Sequence, residues 1–169
     1  MTFLRGMCKL GRDNYLQQIG QELVRREETI SAAESLTTGN VAAFLGSQSG
    51  ASNYFQGGVT AYNLQQKVNI LGVDRSVAEP VNCVSQEVAQ QMAKGVANLF
   101  QTDYGIGTTG YADAWGEVTK PFAFYAITYQ GEVVREGKIE RTGLNRQEMQ
   151  REVARTTVKQ LHELLTGDE

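Results

Sequence analysis

The order in which helical and extended periodicities follow one another constrains this chain more than any single residue. From Asn14 to Glu28, apolar Leu16, Ile19, Leu23 and Val24 recur at helical spacing among polar Gln, Arg and Glu, which predicts an amphipathic helix. Thr29 to Ala33 reads as a strand, and Thr38 to Phe44 or beyond has the composition of a helix. Tyr54 to Tyr62 is a second strand entered through Gly57-Gly58. Asn63 is placed to cap a helix over Leu64 to Leu71, in which Lys67 and Leu71 share one side. Ser85 caps a longer helix carrying Val88, Met92, Val96, Leu99 and Phe100, and a Gly-rich strand follows from Tyr104 to Gly110. Phe122 to Gln130 and Val133 to Arg141 flank a turn at Gly131-Glu132 and predict a hairpin. Asn145 to Leu165 closes the chain as a helix with a stripe of Met149, Val153, Thr157, Leu161 and Leu165. Helices alternating with strands, plus one hairpin, predict an α/β fold: a three-layer α/β/α sandwich with a mixed sheet.

With 169 residues, 41% of them apolar, the chain suits one domain, expected over 1–169 with 1–13 as an N-terminal extension and 166–169 as a frayed tail. The formal net charge is −3 and the basic residues form no stripe, so nucleic acid is not an expected partner. No segment has the length and apolar character of a signal or a membrane span, which points to a cytoplasmic protein with no membrane partner. Cys8 and Cys83, the two cysteines, lie far apart without a CxxC, so neither a disulfide framework nor a zinc site is expected. HExxH, EF-hand and P-loop spacings are missing, and Gly105-Ile106-Gly107 lacks the rest of a dinucleotide fingerprint. Neither a metal nor a cofactor is expected.

Three polar, glycine-flanked places fall at or just past the ends of predicted strands, where open α/β sheets gather their binding residues. They are Glu34-Ser35, the segment carrying Tyr62 and Lys67, and Thr108-Thr109-Gly110. Ser35 sits at a strand-to-helix junction, where first-turn N–H groups would point at an anion or a developing oxyanion. It reads either as a helix cap or as a nucleophile that needs a neighbour to take its proton. The only histidine, His162, lies in the last helix, so a base would have to be Tyr62, Lys67, Glu34 or a water they hold, and these stay open. Thr109-Gly110 could supply an oxyanion donor, and Gly105 and Gly107 could let a substrate approach the main chain. Lys120 could meet a phosphate or carboxylate, and Trp115 is either a pocket wall for a flat ring or a cover for the core.

These motifs carry a resemblance. Ser31-Ala32-Ala33-Glu34-Ser35-Leu36-Thr37-Thr38-Gly39 resembles the A-E-S-C-T-G-G segment of the CinA C-terminal domain family, the competence/damage-inducible proteins that include nicotinamide mononucleotide deamidases. It continues through Phe55 to Asn63 with Lys67 and Leu71-Gly72-Val73, then Val84 to Ala89, Thr109-Gly110 and Lys120-Pro121. The resemblance implies a homo-oligomeric α/β domain that hydrolyses the carboxamide of nicotinamide mononucleotide to nicotinic acid mononucleotide and ammonia. By the same resemblance Ser35 is the nucleophile, Tyr62 a pocket residue near it and Thr109 a polar helper. With Lys67 these are the expected catalytic residues. Glu34, Thr37, Gly39, Gly58, Gly110, Lys120, Arg146 and Gln150 are the expected contacts to a small nucleotide or amide.

The chain also departs from the family pattern. Leu36-Thr37-Thr38-Gly39 stands where Cys-Thr-Gly-Gly is usual, and Tyr111-Ala112-Asp113-Ala114-Trp115-Gly116 replaces a glycine-rich I-A-G-P stretch. In the last helix Arg146 keeps the first arginine of G-D-R-x-x-V-R, while Gln150 stands at the second. A carboxylate at Asp113 and the loss of that second charge oppose an anionic substrate. Two functions therefore stay open: an amidohydrolase of the pyridine-nucleotide type, and a degenerate paralogue that binds a ligand or partner. Ammonia release from nicotinamide mononucleotide is expected to be weak or absent.

Overall fold

The computed structural model describes residues 14–167. In chain order its elements are α1 (Asn14–Arg26), β1 (Ile30–Glu34), α2 (Asn40–Leu45), β2 (Phe55–Thr60), α3 (Leu64–Leu71), α4 (Arg75–Ala78), α5 (Gln86–Phe100), β3 (Tyr104–Tyr111), β4 (Phe122–Tyr129), β5 (Glu132–Glu140) and α6 (Arg146–Thr166). One sheet runs in the order β2-β1-β3-β4-β5. Its β2, β1 and β3 are parallel, while β3, β4 and β5 pair antiparallel. The sheet is mixed and covered on both faces, as expected.

Alternation along the strands builds the two cores. Ile30 and Ala32 of β1, with Tyr104 and Ile106 of β3, face the layer of α1, α2 and α6, where Leu16, Ile19, Val41 and Met149 pack. Ala33 faces the other way, toward Val88, Met92 and Val96 of α5 and Leu71 of α3. On that side α5 lies unusually close. A Cβ on Gly105 would sit 2.1 Å from Ala93 O, and one on Gly107 would sit 2.2 Å from Ala89 O. These glycines admit the helix rather than a substrate, which corrects the role expected from the sequence. Gly95 does the same between helices, since its Cβ would lie 2.1 Å from Leu71 O. Through that contact α3, and Lys67 with it, is drawn onto the sheet.

The helical caps follow the sequence. Asn63 Oδ1 accepts from Gln66 N–H at 3.0 Å, and Ser85 Oγ accepts from Val88 N–H at 3.2 Å. The helix after β1 starts later than its composition suggests, because Thr38 and Gly39 have φ of 47° and 94° and no α-helix accommodates either. The four-residue α4 has too few positions to show a period, and it was not anticipated. At the C-terminus α6 reaches Thr166 and Gly167 closes it at φ 73°, so 166 and 167 belong to the helix and its cap rather than to the expected tail, and 168–169 lie outside the described residues. The expected extension over 1–13, with Cys8, lies outside the described residues. Among the described residues no helix is long and apolar enough to cross a membrane.

Candidate active site

The chain leaves β1 for β2 on one side and reaches β3 on the other, so the carboxyl ends of the three strands frame a crevice at a switch point of the sheet. Ser35 follows β1 directly and is fixed from both flanks. Its N–H donates to Thr108 O at 3.1 Å, while Ala61 N–H donates to Glu34 O at 2.9 Å. This extends both ladders by one residue and gives the serine a fixed position.

Lys67 reaches Ser35 from the buried face of α3. Its Nζ lies 2.9 Å from Ser35 Oγ, 2.8 Å from Ala61 O and 3.3 Å from Tyr62 O. The residue is 1% exposed, and among the described residues no carboxylate forms an ion pair with it. Burial lowers its pKa to about 8, with the nearby Cys83 acting in the opposite direction. A neutral amine has two N–H bonds and one lone pair. The two carbonyls can take both N–H bonds, which leaves the lone pair to accept the Ser35 hydroxyl proton.

In front of this pair lies a cavity of about 520 Å³. Thr109 forms part of its wall, and its hydroxyl donates to Cys83 O at 2.6 Å, tying the end of β3 to the segment that precedes α5. Tyr111 and Trp115 stack with ring centroids 5.9 Å apart and planes 14° from parallel. Trp115 is 64% exposed, so it forms a wall and covers no core. At the mouth Arg146 forms an ion pair with Asp113 and donates to Tyr62 Oη at 2.7 Å. The bond to Asp113 raises the arginine pKa above its ordinary value. A capping box fixes the start of α6: Glu148 N–H donates to Asn145 Oδ1 at 3.0 Å and Asn145 N–H to Glu148 Oε2 at 2.9 Å. That start sets Arg146 at the cavity.

Residues 12–165 match the family model for the CinA C-terminal domain. The chain belongs to the CinA C-terminal domain family. A CinA-like protein of Rippkaea orientalis is 42% identical over 123 residues, 72% of this chain and 29% of that protein. One from Prochlorococcus marinus is 40% identical over 138 residues, covering 80% and 33%. The chain thus spans about a third or less of the curated relatives it matches. Among solved structures, a competence-damaged protein (CinA) superfamily protein from Klebsiella pneumoniae superposes with a TM-score of 0.84 at 25% identity, covering 92% of this chain and 98% of that one. The competence/damage inducible protein CihA from Agrobacterium tumefaciens superposes at 0.84 and 24% identity, covering 98% and 99%, and shows the fold alone.

Within this CinA domain the expected site residues divide into two groups. Ser35, Tyr62, Lys67, Thr109, Gly110 and Arg146 all line the cavity. Gly110 also answers to strand packing, since its Cβ would sit 2.4 Å from Phe122 O. The other expected contacts lie elsewhere. Glu34 is 1% exposed and turned beneath α2, where it accepts from the N–H groups of Gly39 and Val41 at 3.0 Å and Ala42 at 2.8 Å. Those first-turn donors are therefore taken by Glu34 and do not point at Ser35, which also is not the helix cap. Thr37 is buried with its hydroxyl on Thr108 at 2.8 Å. Gly39 is the N-cap residue of α2. Gly58 lets β2 approach β1, where its Cβ would lie 2.9 Å from Ala32 O. Lys120 is exposed and pairs with Glu140 at 3.9 Å. Gln150 lies on α6 outside the lining, so the position of the missing second arginine contributes no cavity wall. His162 is hydrogen-bonded to Gln18 at 2.8 Å, also outside it.

Sequence reasoning missed Asn82 and Cys83 in the lining. Both have positive φ, 50° and 62°. Cysteine gives no such signal in a sequence. The partnership of Asp113 with Arg146 was missed as well, because 33 residues separate them.

Proposed function

We propose that this domain is a serine amidohydrolase acting on the carboxamide of a pyridine nucleotide, with Ser35 as nucleophile and Lys67 as general base. One observation carries the reading: the 2.9 Å contact between Ser35 Oγ and an amine that burial holds near pKa 8. Neutral Lys67 takes the Ser35 proton as Oγ bonds to the carboxamide carbon. Leu36 follows the nucleophile and lines the cavity, and its N–H has no acceptor among the described residues, which makes it the candidate donor to the tetrahedral oxyanion. Protonated Lys67 then gives its proton to the amide nitrogen as the C–N bond breaks and ammonia leaves. A water attacks the ester, Lys67 takes that water's proton and returns it to Ser35 Oγ, and the carboxylic acid departs.

The stacked Tyr111 and Trp115 offer a flat apolar surface to a ring, and family resemblance supplies nicotinamide mononucleotide as the reference substrate. An open cavity with Trp115 in its wall favours this reading over a degenerate binding protein, which a ring plugging the space would have favoured. The test is ammonia release from nicotinamide mononucleotide and its riboside. Wild type is expected to release ammonia from at least one, and Ser35→Ala is expected to lose about 10³-fold or more of the rate. Equal rates from the variant would overturn the proposal.

A further inference from the structure

Among the described residues three charged side chains line the cavity: Lys67, Asp113 and Arg146. Lys67 is 1% exposed and its amine is held at Ser35 Oγ, away from the exposed Arg146 and Asp113. Among the described residues Arg146 is therefore the one cation at the mouth, and Asp113 already neutralises it. Lys120, the other basic side chain expected to meet an anion, pairs with Glu140 outside the cavity. Tyr62 adds a hydroxyl and no charge.

We propose that Asp113 is a specificity-determining residue that turns the cavity away from phosphorylated substrates and toward the unphosphorylated pyridinium riboside carboxamide. The inference rests on the amidohydrolase reading and names the substrate class within it. A phosphate brought to Arg146 must displace the Asp113 carboxylate and then stay beside it, and like charges a few ångströms apart repel. A riboside tail presents hydroxyl donors, which the Asp113 carboxylate accepts, and its pyridinium ring carries a positive charge that the same carboxylate favours.

The experiment measures ammonia release from nicotinamide riboside and nicotinamide mononucleotide by wild type, Asp113→Asn and Asp113→Ala. Calorimetric binding of both compounds to Ser35→Ala, with and without Asp113→Asn, runs beside it. Wild type is expected to show the higher kcat/KM with the riboside. Each Asp113 substitution is expected to raise kcat/KM for the mononucleotide about tenfold and to lower it for the riboside about threefold. A wild-type preference for the mononucleotide, or equal shifts for both compounds, would overturn the inference while leaving the hydrolytic reading intact. Binding ratios that follow the expectation without any ammonia from either compound would support the role of Asp113 and sink the amidohydrolase. Absence of binding by both would sink the two together.

Discussion

At the residue scale everything turns on Lys67. Its pKa falls from 10.5 to about 8 because burial disfavours the charged amine. As a general base it works only when neutral, so kcat/KM is expected to rise with pH along a single ionisation centred near 8. A profile flat between pH 6 and 9 would contradict that role. The sequence named Ser35 and Lys67 but left the base open among Tyr62, Lys67, Glu34 and a water they hold. A one-turn spacing from Leu71 placed Lys67 on a helical face, yet nothing in the composition showed that this face is buried. The orientation of Glu34 was equally illegible: an acidic residue beside a serine reads the same whether it turns toward the crevice or away from it.

At the scale of elements, Glu34 joins β1 to α2. Gly39 offers no side-chain cap to the helix, and the Glu34 carboxylate accepts three of its first N–H groups in place of one. A Glu34→Gln substitution turns one of those acceptors into a donor. It is expected to cost about 2 kcal/mol in urea unfolding, and to lower kcat through the neighbouring Ser35. Unchanged stability would show that the helix start does not depend on the carboxylate. Among the helices capped by side chains, α3 and α5 were legible because Asn63 and Ser85 announce them and α6 because of its long stripe, whereas α4, capped by Asp74, is too short to show a period. The start of α2 was not, since its cap comes from the preceding strand rather than from a residue at the boundary.

For the molecule as a whole, the alternation of periods was enough to give the three-layer arrangement, because the strands and the longer helices α1, α5 and α6 extend far enough to show their spacing. Long-range pairings such as Asp113 with Arg146 depend on how the loop after β3 and the start of α6 meet in space, and no local pattern records them. The buried lysine also leaves a mark on global stability. Folded Lys67 titrates near 8 and unfolded lysine near 10.5, so between these values the unfolded chain binds more protons and stability rises with pH. Compared with Lys67→Met, wild type is expected to gain at most about 3 kcal/mol from pH 7 to pH 11. A constant difference in unfolding free energy across that range would show that the folded pKa is not depressed.

The most direct test of the account is the rate of ammonia release at pH 8 by wild type and by Lys67→Met, each supplied with the better of the two pyridinium carboxamides. If a buried neutral amine activates Ser35, the variant stays folded and its rate falls about 10³-fold. A folded variant that keeps its rate within a few-fold of wild type would contradict the account.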